Sequence, residues 1–274
     1  MIVKNITKIM IFIGLLALSV LMLMPFAWMI SSSLKTHMEV FIFPVEWIPP
    51  NPQWQNYRAI FEIIPMATFF RNTIFLTITI TFLQVITSSF AAYGFSRLKW
   101  PGRDVIFLAY VGTIAVPWQS FMIPQFIMMR TFGLVDTLWA MILLQSFSAF
   151  GVFLMRQYYM SIPEELSEAA RIDGLNEYGI YARIILPLTK PAVATLVILT
   201  STFVWNDFMG PLIYLSTQRN MTVQIGLRMF VGLHDSLYAY IMAGSVLSIL
   251  PLAFIFFAAQ KYFVEGIAAS GVKG

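Results

Sequence analysis

Six long apolar stretches, separated by polar segments, dominate the pattern of the chain. They cover residues 9–30, 73–95, 105–129, 138–155, 192–214 and 237–259. A helix needs about 20 apolar residues to cross the hydrocarbon core of a bilayer. The stretches are continuously apolar rather than alternating, which favours helices over the strands of a membrane barrel. The sequence therefore predicts an all-α integral membrane protein, with six transmembrane helices in a single domain over residues 1–274.

Prolines lie inside two of these stretches. Pro117 and Pro124 are expected to break the third predicted helix, and Pro251 is expected to interrupt the sixth. Proline has no backbone N–H and its ring clashes with the preceding turn, so it kinks or ends a helix. The kinks either serve alternating access or only shape the helices, and the sequence leaves both open.

Composition supports the membrane assignment. Hydrophobic residues make up 59% of the chain and charged residues 11%, whereas a soluble domain carries about 25% charged residues. The chain has no cysteine, which excludes disulfides and thiolate metal sites. Its two histidines fall in different loops, so we expect no metal site. We interpret the net charge of +4 as positive charge that orients the chain in the membrane, and we expect no nucleic acid partner.

Positive charge predicts the orientation in the membrane. With the N-terminus inside, eleven of the 17 lysines and arginines fall in inner segments and six in outer ones. This bias favours both termini in the cytoplasm. Lys4 and Lys8 precede the first stretch, as in a signal peptide. That stretch is too long for a cleavable signal peptide and is not followed by a cleavage site with the small-x-small pattern. We therefore expect it to be retained as a helix.

The inner segment between the fourth and fifth stretches is built like a pair of short helices. Ser161 and Glu164 have the spacing of a capping box, with Pro163 in the first turn. Gly174 permits the left-handed turn that ends a helix. Asn176 can cap a second short helix. The sequence therefore predicts a structured loop over residues 157–190 rather than a linker.

One face of the first short helix is suited to contact with a partner. Leu166, Ala169, Ala170 and Asp173 follow the spacing of a single helical face. The two alanines keep this face shallow, so another surface can approach closely. The alternative is an amphipathic helix that lies on the inner membrane surface. The mostly acidic charge of the helix argues against that alternative, because the inner leaflet is itself negative.

The same segment carries a spaced motif. It reads Glu168-Ala169-Ala170, three residues, Gly174, nine residues, Ile184, one residue, Leu186-Pro187. At every position it resembles the EAA signature of ATP-binding cassette (ABC) importer permeases. The resemblance implies the type I ABC importer permease fold and a cytoplasmic coupling helix that docks on a separate ATPase subunit. The residues to which it assigns coupling are Glu164, Glu165, Leu166, Glu168, Ala169, Ala170, Arg171, Asp173, Gly174 and Pro187.

Two further segments narrow the resemblance. Trp205-Asn206-Asp207-Phe208, followed by Pro211-Leu212, is similar to sugar-importer permeases, and so is the tail over residues 261–274. The chain resembles the smaller, maltose-type subunit over nearly its whole length. In that family the tail reaches the interface of the ATPase dimer. The resemblance therefore implies that Gly271 and Lys273 contact the ATPase subunits. The outer loop before the sixth stretch resembles the loop that probes a sugar-binding protein.

The resemblance also implies a set of partners. These are a second homologous permease subunit, two ATPase subunits and an extracellular or periplasmic sugar-binding protein, assembled at a bacterial or archaeal cytoplasmic membrane. The chain contains no G-x-x-x-x-G-K-[ST] phosphate loop, so we expect it not to be an enzyme. ATP and magnesium would be bound by the ATPase subunits, and no cofactor by this chain.

Polar residues inside the predicted helices are candidates for the translocation path. Such residues are costly in lipid and usually face the bundle or a pore. Sugar hydroxyls bond to amides and carboxylates, and sugar rings stack on aromatic side chains. The candidates are Trp205, Asn206, Asp207, Trp118, Gln119, Gln145, Gln84 and Tyr93. Each could instead bond or pack between helices for structural reasons.

Three alternatives remain at this stage. An ABC permease for glycerol phosphate would favour basic residues on the path, and none lies in the middle of a predicted helix. An ion-coupled secondary transporter would rest on Asp207 alone and would leave the EAA-like loop unexplained. A membrane enzyme would need a catalytic cluster, and the sequence offers none.

Overall fold

The computed structural model describes the backbone of residues 2–232 and 236–271, and the side chains of residues 7–232 and 236–261. Its regular elements are helices, which confirms the all-α fold class. They are α1 (Ile2–Ser33), α2 (Gln55–Ile63), α3 (Met66–Ser96), α4 (Arg103–Gly112), α5 (Met122–Thr131), α6 (Leu138–Gln145), α7 (Ala149–Ser161), α8 (Glu165–Ile172), α9 (Glu177–Ile180), α10 (Leu186–Leu188), α11 (Lys190–Asn206), α12 (Met209–Tyr214), α13 (Val223–Met229) and α14 (Tyr238–Gly271).

Most of the predicted membrane crossings correspond to helices. Within the described residues, three helical segments are individually long and apolar enough to span a bilayer: Thr7–Ser33, Met66–Ser96 and Tyr238–Lys261. Two bent pairs raise the number to five, Leu138–Gln145 with Ala149–Ser161 at 40° and Glu177–Leu188 with Lys190–Asn206 at 76°. These five match the first, second, fourth, fifth and sixth predicted stretches.

The third predicted stretch is not a continuous helix. Between the end of α4 and the start of α5, the chain forms two 3₁₀ turns, Thr113–Ala115 and Trp118–Ser120. Pro117 lies between these turns and cannot donate a helical hydrogen bond. The expected break is therefore present at Pro117, whereas the break expected at Pro124 is wrong, because this residue lies in the first turn of α5. At Pro251 the expected interruption is wrong, because α14 continues through this residue.

The chain forms two compact units. The first comprises Met1–Ala67 and Ile225–Pro251. Here the buried Asn56 donates its amide to the carbonyl oxygens of Ser33 and Lys35, both at 2.9 Å. The first bond satisfies a carbonyl group that the end of α1 leaves without a helical partner, and the second holds the turn that follows α1. In contrast, no residue in the most apolar window of α1 is buried within the described structure.

The second unit comprises Thr68–Gln224 and Leu252–Gly274 and contains two clusters of buried apolar side chains. The first core cluster is Ala92, Tyr93, Phe107, Val152, Met155, Tyr159, Ala170, Ile180, Tyr181, Ile185, Ala192 and Leu196. The second core cluster is Leu76, Ile80, Met129, Ala140, Met141, Ile142, Val204, Tyr214 and Leu215. Helix α3 contributes to both clusters, and the predicted coupling loop contributes only to the first.

A close contact of three helices supports the first core cluster. A Cβ added to Gly151 of α7 would overlap with Ser88 Oγ of α3 and would lie 3.3 Å from the Leu196 side chain of α11. Glycine thus permits an approach that a larger residue would prevent. Next to this contact, Ser89 hydrogen-bonds with both Tyr159 and Tyr181, at 2.9 and 2.6 Å. The contacts fix α3 and α7 beside the base of the predicted coupling loop.

Candidate functional site

The predicted coupling helix is present as α8, but it begins differently from the expectation. Ser161 is the last residue of α7, and its hydroxyl donates to the Tyr158 carbonyl at 2.8 Å. The N-cap of α8 is Glu164, whose side chain makes no capping hydrogen bond. The predicted capping box is therefore wrong. Glu165 and Glu168 still lie in the first turn, where negative charge favours the helix dipole.

The end of α8 agrees with the sequence prediction. Gly174 has a φ of +85°, in the left-handed region. Its N–H donates to the Arg171 carbonyl and the Leu175 N–H donates to the Ala170 carbonyl, both at 3.0 Å, which is the Schellman pattern. A Cβ at Gly174 would meet nothing within 4 Å. Glycine is thus favoured here by the backbone conformation rather than by space.

The predicted contact face of α8 is divided between the core and the surface. Ala170 is 5% exposed and belongs to the first core cluster. Ala169 and Asp173 are exposed, as is Leu166 at 45%. Ile172, which the sequence prediction did not include, is 87% exposed. The exposed face of α8 therefore includes Leu166, Ala169, Ile172 and Asp173, and Ala170 anchors the helix from behind.

One carboxylate joins α8 to the end of α3. Glu177 Oε1 accepts a hydrogen bond from Arg171 Nε at 2.9 Å, and Glu177 Oε2 accepts one from the Tyr93 hydroxyl at 2.6 Å. Asn176 caps the short helix that carries Glu177, since its side chain accepts from the Gly179 N–H at 2.9 Å. This cap was expected from the sequence. The path role predicted for Tyr93 is not supported by its contacts, which lie with the coupling loop.

Two arginines hold the same end of the unit together. Arg97 donates to the Ile162 carbonyl at 2.7 Å, directly before α8. Arg156 of α7 donates to the Phe95 carbonyl and to the Asp104 carboxylate, both at 3.0 Å. These bonds connect α3, α4 and α7 at the base of the loop. The coupling loop thus begins at a group of helix ends that hydrogen bonds hold together.

Two of the predicted path residues, Gln145 and Asp207, contact each other directly. Gln145 Nε2 donates to Asp207 Oδ2 at 2.7 Å, and Asp207 Oδ1 accepts from the Gly210 N–H at 3.1 Å. Gln145 ends α6, and Asp207 follows the last residue of α11. A Cβ at Gly210 would lie 2.5 Å from Asp207 Oδ2 and 2.7 Å from Met141 Cε. The absence of a side chain at Gly210 therefore makes room for the carboxylate.

A third path candidate, Gln84 of α3, extends this contact into a polar network. Its amide donates to the Gln145 carbonyl at 2.6 Å, and its side-chain oxygen accepts from the Thr200 hydroxyl at 2.9 Å. Thr200 lies in α11 and was not predicted. The Gln145 side-chain oxygen is buried and has no hydrogen-bond partner within the described part of the chain. The network thus retains one unused acceptor.

The remaining path candidates lie outside this network. Trp205 is 1% exposed, whereas Asn206 is exposed. The Gln224 amide lies 3.4 Å from both the Trp205 carbonyl and the Asn206 side-chain oxygen. Trp118 and Gln119 lie in the 3₁₀ turn that interrupts the third stretch, and Gln119 is exposed. The structure therefore joins three of the eight candidates in one hydrogen-bond network and leaves the other five outside it.

A second structured region lies beside the second core cluster and was not identified from the sequence. Asp136 Oδ1 accepts hydrogen bonds from the N–H groups of Ser216 and Thr217, at 2.9 and 3.0 Å. The Asn72 amide donates to the Arg219 carbonyl at 2.8 Å. Burial alone would raise the pKa of Asp136, but the hydrogen bonds from Thr217 and Ser216 outweigh it and hold this pKa well below its usual range. The loop after α12 is therefore fixed in place.

The helical crossings, the EAA-like loop and its exposed helix define a membrane permease subunit of an ABC transporter. The family model described as "Binding-protein-dependent transport system inner membrane component" matches residues 84–268. The chain belongs to this family, and the predicted type I ABC importer permease fold is confirmed.

Similar proteins support the same assignment. The arabinooligosaccharides transport system permease protein AraQ of Bacillus subtilis is 35% identical over 94% of this chain and 92% of that protein. The lactose transport system permease protein LacG of Rhizobium radiobacter is 29% identical, with 91% of each chain covered. A chain in the crystal structure of a bacterial ABC transporter that imports the acidic polysaccharide alginate aligns with a TM-score of 0.82. It is 27% identical, over 95% of this chain and 97% of that one.

Proposed function

We propose that this chain forms part of the membrane channel for a sugar or oligosaccharide, and that a separate ATPase subunit drives transport through α8. The observation that carries the proposal is the geometry of the EAA-like loop. Ala170 anchors α8 in the first core cluster while Leu166, Ala169 and Ile172 remain outside. Apolar side chains presented together on a surface mark an interaction site.

The exposed face of α8 is suited to an ATPase subunit. Ala169 keeps the centre of the face shallow, so a cleft in the partner can close over the helix. Glu164 at the N-cap and Glu165 in the first turn lie exposed and can pair with basic residues of the partner. The Schellman turn at Gly174 fixes where the helix stops. We propose the same partner for the tail: Gly271 is the last residue of α14, and Lys273 lies outside the described residues.

The substrate class follows from the relatives and from the polar network. The relatives named above transport arabinooligosaccharides, lactose and alginate. In this chain, the unused Gln145 oxygen and the Asp207 carboxylate are both acceptors. Sugar hydroxyls are donors and match such groups. We therefore propose that Gln84, Gln145 and Asp207 lie along the sugar path.

The proposal includes a set of partners. A second permease subunit completes the channel, and two ATPase subunits bind ATP and magnesium. A binding protein delivers the sugar from outside, and the loop over residues 157–190 faces the cytoplasm.

The test is reconstitution of the complex. The chain is tagged, expressed with the permease, ATPase and binding-protein subunits encoded beside it, and reconstituted in proteoliposomes. ATP hydrolysis and uptake are measured with arabinotriose, lactose, a galacturonate trimer and glycerol phosphate. We expect the ATPase to copurify, and the binding protein loaded with one of the three sugars to stimulate hydrolysis.

Variants of α8 complete the test. Ala169→Asp places a charge at the centre of the exposed face, so the ATPase should no longer copurify. Gln55→Asp introduces the same charge at an exposed position in α2 and serves as the matched control. If no ATPase copurifies with the wild type, the proposal that α8 docks on an ATPase subunit is wrong. If only glycerol phosphate stimulates hydrolysis, the proposal of an ABC importer stands and the proposal of a sugar substrate is wrong.

A further inference from the structure

The single carboxylate of Glu177 is shared between two helices with different tasks. Arg171 is on α8, whose exposed face is proposed to meet the ATPase. Tyr93 is on α3, close to the end of that helix. Glu177 bonds to both, at 2.9 Å and 2.6 Å, with one oxygen for each. Hydrogen bonds to an ionised group are shorter and stronger than neutral ones. The arrangement therefore links α8 to α3 through one rigid group.

The other contacts of α8 do not provide an equivalent link. Ala170 packs into the first core cluster, and apolar packing is not directional. Lys99 and Glu164 form an ion pair at 3.6 Å, with side chains 84% and 53% exposed. Such exposed pairs contribute little. Within the described residues, Glu177 joins α8 to α3 through charged and directional bonds, with side chains 39% exposed at Arg171 and 41% exposed at Glu177. The bond from Arg97 ends on the Ile162 carbonyl, three residues before α8 begins, and so does not hold α8 itself.

Helix α3 can carry a displacement away from the loop. Ala92 and Tyr93 belong to the first core cluster, and Leu76 and Ile80 belong to the second. Between them, Gln84 donates to the Gln145 carbonyl at 2.6 Å. A movement of the Tyr93 end thus reaches the polar network through one continuous helix. Rigid elements of this kind carry coupling between distant sites.

We propose that Arg171, Glu177 and Tyr93 form a coupling clip, which transmits the movement of α8 on the ATPase to α3. Tyr93 and Glu177 are positioning residues: they do not touch the ATPase or the sugar but determine how one helix follows the other. The proposal rests on the proposed function, because it requires an ATPase docked on α8. It predicts that opening the clip separates ATPase binding from stimulation.

The experiment uses the full reconstituted complex. Glu177→Gln removes the charge that Arg171 pairs with, and Tyr93→Phe removes the hydroxyl donor. Glu62→Gln is the matched control, because it removes the charge from an exposed ion pair with Arg58 at 2.7 Å in α2. Three quantities are measured: the ATPase that copurifies, hydrolysis with and without binding protein, and uptake per ATP. The binding protein is loaded with the sugar among arabinotriose, lactose and a galacturonate trimer that stimulates the wild type most.

We expect both clip variants to retain the ATPase and to lose stimulation by about fivefold or more, within the usual range of allosteric coupling. Uptake per ATP should fall in parallel, and Glu62→Gln should match the wild type. The double variant should be no worse than Glu177→Gln alone, because both changes act on one carboxylate. The exchange Arg171→Glu with Glu177→Arg restores the ion pair and should recover part of the stimulation.

The possible failures are distinguishable. If the wild type is stimulated and the clip variants respond equally, the clip is overturned and the proposed function stands. If the clip variants lose the ATPase itself, Glu177 only maintains the shape of the docking surface, and the clip is again overturned. If the wild type binds no ATPase, or no sugar stimulates it, the proposed function fails and the clip fails with it.

Discussion

The amide of Gln145 donates a hydrogen bond of 2.7 Å to the carboxylate of Asp207, and this bond joins two interruptions in the helices. Gln145 lies where α6 gives way to α7 at a bend of 40°. Asp207 lies where α11 ends and α12 begins. Each interruption leaves backbone groups without helical partners. This one hydrogen bond therefore stabilises both the bend between α6 and α7 and the break between α11 and α12.

The energy of this bond can be measured with a double-mutant cycle. Gln145→Ala and Asp207→Ala each remove one partner, and the pair should show a coupling energy of about 0.6 kcal/mol, with an upper bound near 1.7 kcal/mol. Asp207→Asn is the milder change, because an amide oxygen can still accept from the Gly210 N–H. Thermal unfolding of the purified complex gives the values. Strictly additive single effects would show that the contact contributes nothing.

Gly210 gives a steric prediction. A Cβ there would lie 2.5 Å from Asp207 Oδ2 and 2.7 Å from Met141 Cε. Gly210→Ala should therefore destabilise the complex by about 1–3 kcal/mol, as expected for overpacking. Gly94 in α3 provides the control, because a Cβ there would meet nothing within 4 Å. Gly94→Ala should leave the melting temperature unchanged or raise it, and equal losses at both glycines would contradict the steric explanation.

Gly174 tests backbone conformation instead of space. Its φ is +85° and the surroundings are open, so Gly174→Ala should cost about 1–2 kcal/mol through the left-handed backbone alone. Asparagine tolerates this conformation better, and Gly174→Asn should cost less. ATPase affinity, measured by titration of the purified subunit, should fall in the same order. An alanine variant that binds like the wild type would show that the turn does not position α8.

Asp136 predicts a dependence on pH. Its folded-state pKa is held below the usual value by the hydrogen bonds from Thr217 and Ser216, which lie outside the membrane-spanning helices. A carboxylate of this kind stabilises the fold fully above its unfolded pKa of about 3.9, and the contribution is lost as pH falls below that value. Unfolding followed by tryptophan fluorescence between pH 3 and 7 would show the loss. Asp136→Asn should remove this part of the pH dependence, and an unchanged profile would rule out the assignment.

The features predicted well from the sequence are those set by local chemistry. Long apolar runs locate the crossings because lipid demands helices, and Gly174 and Asn176 end and begin short helices through their own backbone and side chain. The capping box failed because α7 extends to Ser161, whose hydroxyl then bonds to the preceding turn. Spacing alone could not tell which of Ala169 and Ala170 faces the core.

The long-range contacts of the candidate path and of the coupling loop could not be predicted in the same way. Gln145 and Asp207 are 62 positions apart, and Tyr93 and Glu177 are 84 apart. Their pairing depends on which helices become neighbours, and periodicity carries no such information. One sequence feature could have indicated a role for Glu177, because it is an acidic residue directly after the helix cap Asn176. Asp136 offered another, because an aspartate two residues before Leu138 suits a turn.

The 3₁₀ turns that interrupt the third apolar stretch limit which environment this part of the chain can tolerate. Residues 113–121 form 3₁₀ turns around a proline, so the regular α-helical bonding is lost there. Hydrocarbon chains cannot satisfy the backbone groups that remain, and irregular backbone at membrane depth is found only against protein or water. Yet Ile114 and Val116 are at least half exposed on this chain. We therefore expect lipid to be excluded from this part of the surface in the working assembly, with either a neighbouring subunit or an aqueous cavity beside it.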